Sequence, residues 1–384
     1  MRRVFVVGAG LTKVGQHWDR SLKDLLAEAG LKAMEDAGVD EVEAIFVGNM
    51  MSGILNGQES LGSLAADYLG LTGVPAFKVE AACASGGAAL MQGVLAVKSG
   101  LFDRVLVVGV EKMTDATDTA DVTSGLATAA DFELELFFGA SFVSLNALVM
   151  RLYASEHGLS EEEFGHLPIL MHKNAVDVEH AQLRFEINME KYLDSPYVAE
   201  PIRLLDSSPI GDGAAAVVLS AGSSPPSDRS VEVAGFWSAT ETLALCDRED
   251  LLRPKSIRAA VRKALEMAGL EIGDVSVVQI HDAFSIVGYL CIEGAGLAEP
   301  GRAPAFIESG EANRDGSIPI NPEGGLKARG HPVGATGIYQ VVELYRQLLG
   351  EAGPSQVEGA RHGLAINVGG VASNVVAHVL RRVD

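Results

Sequence analysis

The sequence predicts an α/β fold built from two similar halves, and three observations lead to that prediction. Short, wholly apolar runs alternate with segments whose apolar residues recur at helical spacing. The same order of elements returns after residues 221–228, a run of Gly, Ser, Pro and Asp that is typical of a linker. The composition, 48% hydrophobic and 21% charged over 384 residues, is that of a globular protein. Buried strands between helices further indicate a largely parallel sheet covered on both faces.

The first half opens with a strand at residues 4–7, which is expected to stop at Gly8 and Gly10. The helix that follows has a candidate N-cap in Ser21 and a candidate stop in Gly38. Further strands are predicted at 43–47, 77–80 and 105–110, and further helices at 61–69 and 84–98.

Residues 112–205 interrupt this alternation and are interpreted as an excursion from the core, which resumes with the apolar run 214–219. Within the excursion, residues 137–150 are uncharged and strongly apolar but fall short of the ~20 residues that a membrane span needs. We therefore expect a buried or interface helix at 137–150 and no membrane span, with membrane contact of this segment as the lesser alternative.

The second half repeats the order of the first, with strands at 231–234, 275–280, 364–367 and 374–380 and helices at 255–268, 283–290 and 334–349. Sequence identity between the halves is not obvious, so the duplication rests on element order alone. If the halves pack about a pseudo-twofold axis, the N-termini of the helices at 84–98 and 334–349 would point into one central pocket.

Charge and cysteine content exclude several classes of protein. The net charge of −21, without a run of Lys or Arg, argues against nucleic-acid binding. The three cysteines, Cys83, Cys246 and Cys291, show no C-x-x-C spacing, so neither a disulfide framework nor a metal site is expected. The N-terminal apolar run is too short for a signal peptide, and we predict a cytoplasmic protein.

Cys83 lies between a predicted strand and a predicted helix. The partial positive charge of a helix N-terminus lowers the pKa of a thiol and favours the nucleophilic thiolate. Gly86 and Gly87 would let an acyl chain approach the backbone. A lone cysteine is more often a buried, inert residue, but its small neighbours and the motifs that follow favour a nucleophile.

His331 lies between Gly330 and Pro332, in a rigid turn just before a predicted helix. A histidine held in one orientation can deprotonate a thiol, although a turn histidine exposed to water is the alternative. His281 ends a predicted buried strand, at the edge where the ligand sites of parallel sheets gather. For His281, taken alone, a structural role is equally compatible with the sequence.

The segment Asn367-Val-Gly-Gly370 follows the strand predicted at 364–367. Its backbone N–H groups could point at a developing oxyanion. A simple strand bend explains the glycines equally well when the segment is taken alone.

Together these segments resemble the thiolase superfamily over essentially the whole chain. The matching pieces are Ala82-Cys-Ala-Ser-Gly86, His281-Asp-Ala-Phe284, Gly330-His-Pro-Val-Gly334 and Asn367-Val-Gly-Gly370, and the His-Asp-Ala-Phe form is similar to sterol-carrier-type and archaeal thiolases. The resemblance implies a duplicated, five-layered α-β-α-β-α fold. Its N-terminal half would comprise 1–111 and 206–222, its loop domain 112–205, and its C-terminal half 231–384.

The resemblance also implies residue roles. Cys83 would accept the acyl group, and His331 would activate Cys83 and help bind the thioester oxygen of the second substrate. His281 would hold a water that completes this oxyanion hole. The backbone N–H groups of Cys83 and Gly369 would form the other hole, and Asn367 lies in the same substrate-binding segment.

One departure from the family affects the chemistry. Ordinary thiolases carry a second, acid/base cysteine where this chain has Asn367, and sterol-carrier-type members carry one where it has Ala283. Losing a general base typically costs about 10²–10⁴ in rate. His331, His281 or Asp282 are candidates to replace it, whereas Cys291 would reach the site only if its helix points inward.

The resemblance implies an acetyl-CoA C-acetyltransferase that uses a CoA thioester as substrate, holds no permanent cofactor and supplies acetoacetyl-CoA to the mevalonate pathway of isoprenoid biosynthesis. It implies a homodimer or homotetramer, and association with an HMG-CoA synthase and a small zinc-ribbon/OB-fold protein. Two alternatives stay open. One is acyl transfer to a non-CoA acceptor, or retro-aldol cleavage of a CoA ester, on the same scaffold, and the other is a non-catalytic subunit of a complex.

Overall fold

The computed structural model describes residues 2–116, 118–222 and 226–383. The linker predicted at 221–228 includes residues 223–225, which lie outside the described residues. The strands are β1 (Arg3–Leu11), β2 (Ala44–Gly48), β3 (Ala76–Val79), β4 (Arg104–Glu111), β5 (Tyr197–Ala199), β6 (Ile202–Arg203), β7 (Gly213–Gly222), β8 (Val231–Thr240), β9 (Val277–Gln279), β10 (His362–Gly369) and β11 (Asn374–Arg382). The helices are α1 (Leu22–Ala37), α2 (Ser52–Leu55), α3 (Leu61–Tyr68), α4 (Ser85–Lys98), α5 (Thr119–Ala127), α6 (Phe142–His157), α7 (Glu161–Ala175), α8 (Met189–Asp194), α9 (Lys255–Ala268), α10 (Ser285–Gly294), α11 (Ala303–Glu308) and α12 (Thr336–Leu349).

A nine-stranded sheet with the order β3-β2-β4-β7-β1-β8-β11-β10-β9 runs through the molecule. The two halves meet where β1 pairs with β8, and we call this boundary the seam. Counted outward from the seam, the strands of the two halves follow the same sequence of directions. β7 and β11 run antiparallel to both of their neighbours, whereas β2 and β9 run parallel to β4 and β10. The seam itself is two residue pairs wide, Phe5 with Glu232 and Val6 with Val231. The duplication predicted from element order is therefore confirmed.

Helices cover the two outer faces and fill the middle. α1 packs on β1, β4 and β7, α9 packs on β8 and β11, and α4 and α12 contact each other and strands of both halves. Alternate residues of β1 enter different cores: Phe5 and Val7 lie under α1, whereas Val4 and Val6 lie against the layer of α4 and α12. The predicted α-β-α-β-α layering is thus confirmed.

The prediction of a largely parallel sheet is wrong, because most of the strand pairs are antiparallel. β7 returns from the excursion and inserts between β4 and β1, and β11 follows β10 after a short turn. A strand covered on both faces is apolar throughout whichever way its neighbours run, so its composition carries no information on direction. The connections decide it.

The first strand does not stop at Gly8 and Gly10 as predicted, but continues to Leu11 with a register shift between Val6 and Gly8. These glycines make room for α1 instead of turning the chain. A Cβ on Gly10 would lie 2.4 Å from the carbonyl oxygen of Ala29. By contrast, the predicted ends of α1 are confirmed, with Ser21 as N-cap and Gly38 in the left-handed region as C-cap.

Replacing Gly10 with alanine is expected to lower the free energy of unfolding by about 1–3 kcal/mol, because the added methyl group would force α1 away from the sheet. Chemical denaturation followed by circular dichroism measures the change. Gly15→Ala is the matched control, since a Cβ on Gly15 meets no atom within 4 Å. Equal stability of the two variants would contradict this account of the packing.

The excursion carries helices α5 to α8 and the small β5–β6 hairpin. The predicted helix at 137–150 begins only at Phe142, and Phe137 and Phe138 lie before it and are exposed. Leu136–Phe138 form a 3₁₀ turn, and Gly139, whose φ lies in the left-handed region, separates this turn from α6. Within the described part of the chain, no helix is both long enough and apolar enough to cross a membrane.

Candidate active site

The turn before α4 places Cys83 at the start of that helix. Ala82 adopts a positive φ of 52°, which is unusual for a residue with a side chain. The Ser85 hydroxyl accepts from the Ala81 N–H at 2.9 Å and donates to the Ala82 carbonyl at 2.6 Å. These two bonds pin the turn and hold Cys83 against the N-terminal end of α4.

Glycines allow the N-terminal ends of α4 and α12 to approach closely. A Cβ on Gly86 would lie 2.9 Å from the Gly334 carbonyl oxygen and 3.1 Å from the Gly337 nitrogen. A Cβ on Gly87 would lie 2.9 Å from Oδ1 of Asn367. Gly86 and Gly87 therefore serve the approach of one half of the fold to the other. The two helix ends meet, as the duplication predicts.

Cys83, His281 and His331 come together at this meeting point. The sulfur of Cys83 and one ring nitrogen of each histidine lie within 4.8 Å of one another. The two imidazole rings are perpendicular, with centroids 5.1 Å apart, and all three side chains are buried. Such a group is also geometrically able to hold a metal ion such as zinc, so the absence of a metal stays a prediction.

Asn367, on β10, joins the nucleophile segment to His281. Its Oδ1 accepts from the Gly87 N–H at 3.1 Å, and its Nδ2 donates to the Cys83 carbonyl at 3.1 Å. The same Nδ2 lies 3.4 Å from Nδ1 of His281. The amide thus occupies the centre of the site without offering a group that can take up a proton.

Thr336 orients His331. The Thr336 hydroxyl donates to the Pro332 carbonyl at 3.1 Å and lies 2.6 Å from Nδ1 of His331. Since its own proton is engaged, the hydroxyl accepts from Nδ1–H and leaves Nε2 as the unprotonated nitrogen. The sequence contained this signal in the threonine five residues after His331, but the interpretation of the motif did not use it.

The resting thiol is not a thiolate, which corrects the expectation of a lowered pKa. Burial raises the pKa of Cys83 to about 12, and the carboxylate of Glu111 adds to the effect. Burial, together with the neighbouring His281 ring and the charge of Arg329, holds the pKa of His331 well below its usual value. The helix N-terminus does not compensate for the loss of water, so the pair rests as neutral thiol and neutral imidazole.

A raised pKa means less thiolate at a given pH, and it predicts a specific alkylation profile. At pH 8 a thiol with a pKa of about 12 is about 10⁻⁴ ionised, so iodoacetamide should label Cys83 far more slowly than the exposed Cys246. The rate at Cys83 should rise about tenfold per pH unit between pH 7 and 10. Peptide mass spectrometry after timed labelling measures both rates. A flat, fast profile at Cys83 would instead indicate a thiolate–imidazolium pair.

The backbone N–H that faces the sulfur, besides that of Cys83 itself, belongs to Gly370. Gly370 adopts a positive φ of 58° in the turn between β10 and β11. The family resemblance implies Gly369, the last residue of β10, as an oxyanion donor, and that role stays a prediction. A Cβ on Gly369 would lie 2.3 Å from the Ala81 carbonyl oxygen, so Gly369 allows the two segments to pack closely.

Asp282 and Cys291 are buried side chains outside the group of Cys83, His281 and His331. The carboxylate of Asp282 accepts from the side chain of Asn321 and from the backbone N–H groups of Leu326 and Lys327. Burial raises the pKa of Asp282 to about 6 and that of Cys291 to about 12. Asp282 therefore anchors the segment that leads to His331, and neither residue belongs to the three-residue group at the helix ends.

Glu111 is a further residue that sequence reasoning missed. It ends β4 and accepts from the backbone N–H groups of Met50, Met51 and Gly334, as well as from the side chain of Asn49. Burial raises its pKa to about 7. The carboxylate ties the start of the α12 segment to the first half. A lone acidic residue after the wholly apolar run 105–110 was the available signal.

A duplicated five-layer fold with a cysteine and two histidines at the meeting helix ends defines a class of acyl-transferring enzymes, and the chain belongs to the thiolase family. Residues 4–223 match the thiolase N-terminal domain and residues 238–382 the thiolase C-terminal domain-like family. The protein is accordingly an acyltransferase.

Individual relatives agree with this assignment. The chain is 46% identical to an acetyl-CoA acetyltransferase of Methanothermobacter thermautotrophicus, with all of both chains covered. It is 32% identical to human sterol carrier protein 2 over 96% of this chain and 70% of the relative. The solved Ltp2-ChsH2(DUF35) aldolase superposes with a TM-score of 0.85 at 20% identity, covering 99% of this chain and 98% of that one, which shows a shared fold.

Proposed function

We propose that the protein is an acetyl-CoA C-acetyltransferase that works through an acyl-enzyme on Cys83 and forms acetoacetyl-CoA from two molecules of acetyl-CoA. The observation that carries the proposal is that the sulfur of Cys83 and one ring nitrogen each of His281 and His331 lie within 4.8 Å of one another where two helices meet. The name of the 46% identical relative supports acetyl-CoA as the substrate.

In the first half-reaction, Cys83 attacks the thioester carbonyl while His331 takes its proton. The oxyanion of the tetrahedral intermediate would be met by the backbone N–H groups of Cys83 and of the adjacent Gly369-Gly370 segment. Coenzyme A then leaves with the proton from His331. Because the thiol and imidazole rest neutral, proton transfer accompanies attack rather than preceding it.

A second candidate has one observation in its favour. Neither Asn367 nor Ala283 supplies the second thiol of other thiolases, which favours transfer to a non-CoA acceptor or retro-aldol cleavage of a CoA ester. A retro-aldolase does not need a covalent cysteine, so its activity would survive Cys83→Ala. A non-catalytic subunit is the third candidate, and the intact group of three reactive side chains argues against it.

The wider context is part of the same proposal. Residues 1–111 with 206–222 and residues 231–384 would be the two thiolase halves, and 112–205 the loop domain that contacts coenzyme A. We infer a homodimer or homotetramer in the cytoplasm, supplying the mevalonate pathway beside an HMG-CoA synthase and a zinc-ribbon/OB-fold protein. The family resemblance supports this setting, and the three unpaired cysteines suit a reducing compartment.

Intact-protein mass spectrometry after exposure to acetyl-CoA, paired with an assay of acetoacetyl-CoA thiolysis, tests the proposed function. We expect a mass increase of one acetyl group, located on Cys83, together with thiolysis. An adduct without thiolysis would support transfer to another acceptor. The absence of both would contradict the proposal.

A further inference from the structure

We propose that His331 is the base of both half-reactions and that Asn367 holds His281 as a hydrogen-bond donor for the enolate oxygen. This inference rests on the proposed function and deepens it, because it assigns the work that the second cysteine performs in other thiolases. It follows from the hydrogen bonds around the three polar side chains.

Asn367 can adopt one orientation only. A backbone N–H cannot accept, so the atom that faces Gly87 N–H must be the amide oxygen. A carbonyl cannot donate, so the atom that faces Cys83 C=O must be the amide nitrogen. Both contacts are buried, which leaves no solvent to replace either bond.

This orientation selects the tautomer of His281. The second hydrogen of the Asn367 amide points to Nδ1 of His281 at 3.4 Å, so Nδ1 must accept. A neutral imidazole that accepts at Nδ1 carries its proton on Nε2. Burial and the charge of Arg329 lower the pKa of His281 to about 3, which keeps the ring neutral. His281 therefore offers Nε2–H.

His331 has the opposite tautomer, because Thr336 accepts from its Nδ1–H. Within the described residues, Nε2 of His331 has no hydrogen-bond partner, and its lone pair is free to take a proton. The perpendicular rings of His281 and His331 thus provide one donor and one acceptor in the same small space. A donor for the thioester oxygen and a base for the adjacent carbon are the two groups that enolisation needs.

The other candidate bases are engaged or displaced. The Asp282 carboxylate is held by three N–H donors. Lys327 donates to the Ser207 carbonyl at 2.6 Å. Cys291 lies outside the group of sulfur and ring nitrogen atoms at the helix ends. His331 is therefore the base within reach.

One base suffices because the protons balance. In the first half-reaction, His331 takes the Cys83 proton as the new C–S bond forms and returns it to the departing coenzyme A thiolate as the old C–S bond breaks. Nε2 is then bare again. In the second, Nε2 removes the α-proton of acetyl-CoA, and the enolate carbon forms a C–C bond with the acetyl carbonyl. The Cys83–acyl bond breaks, and the Cys83 thiolate takes the proton from His331.

The test is α-proton exchange of acetyl-CoA in D₂O, measured by mass spectrometry on Cys83→Ala protein, which cannot form the acyl-enzyme. We expect exchange in Cys83→Ala within about tenfold of the wild-type rate, and a loss of about 10²-fold or more on adding His331→Asn. Adding His281→Asn, which can still donate an N–H, should slow exchange less than adding His281→Met, which cannot. Exchange that persists without His331, or that is missing from Cys83→Ala, would overturn the inference.

The role of Asn367 is tested separately, by finding which ring nitrogen of His281 and of His331 carries the proton. In ¹⁵N-histidine NMR spectra, wild-type His281 should show a protonated Nε2 and an unprotonated Nδ1. His331 should show a protonated Nδ1 and an unprotonated Nε2. Asn367→Ala should shift His281 toward the other tautomer and leave that of His331 unchanged. An unchanged His281 spectrum in that variant would refute the positioning role. Failure of the proposed function is seen separately, as wild-type protein that does not thiolyse acetoacetyl-CoA.

Discussion

Replacing Cys83 with alanine is expected to abolish the acetyl adduct and to reduce acetyl-CoA/acetoacetyl-CoA exchange by on the order of 10⁴-fold or more. The substitution removes the atom that carries the acyl group. Steady-state thiolysis and intact-protein mass spectrometry measure the two effects on the same preparation.

Cys291→Ala is the matched control, since Cys291 is equally buried but lies outside the reactive group. It should retain the adduct and lose at most a small factor in rate, with a modest loss of stability. Turnover that is retained in Cys83→Ala would contradict the acyl-enzyme mechanism. It would support the retro-aldol alternative if the substrate cleaved were a β-hydroxyacyl ester.

Replacing His331 with asparagine is expected to slow both half-reactions by about 10²–10⁴. The neutral thiol of Cys83 depends on His331 for deprotonation, because burial leaves almost no thiolate at neutral pH. Acetylation of Cys83, followed by rapid-quench mass spectrometry, reports the first half-reaction. Thiolysis of acetoacetyl-CoA reports the complete cycle.

His378→Asn provides the matched control for that variant. His378 is a buried histidine on β11 whose pKa burial lowers to about 3, and it takes no part in the group at the helix ends. Its replacement should cost stability but leave both half-reactions within a few-fold of wild type. If His331→Asn slowed thiolysis while acetylation stayed fast, another group would have to deprotonate Cys83.

Much of the fold followed from local patterns, and the errors have a common physical origin. Ser21 and Gly38 bound α1 as predicted because capping is decided within a few residues. Gly8 and Gly10 were misinterpreted because their role depends on α1, whose contacting residues lie 19 to 29 positions away in the sequence. Strand direction likewise depends on connections such as the return through β7, which an apolar run does not encode.

In the candidate site, too, local features could be predicted from the sequence, whereas features that depend on distant packing could not. Cys83, His281 and His331 each stood out by residue type and by their position at a strand or helix end. The sequence also drew attention to Asn367, but it did not reveal the hydrogen bonds of Asn367 and Thr336 to the two histidines, because those contacts depend on the packing of separate elements. The expectation of a thiolate also required knowledge of burial, which outweighs the helix N-terminus at Cys83.

The two halves of the sheet are joined by the two residue pairs between β1 and β8, yet the site takes its reactive groups from both halves. The first half contributes the sulfur, and the second contributes both imidazoles and the amide that orients one of them. Because α4 and α12 pack against each other and against strands of both halves, this shared middle layer keeps the sulfur and the imidazoles together. A substitution that loosens the contact between these two helices should therefore reduce turnover before the protein unfolds globally.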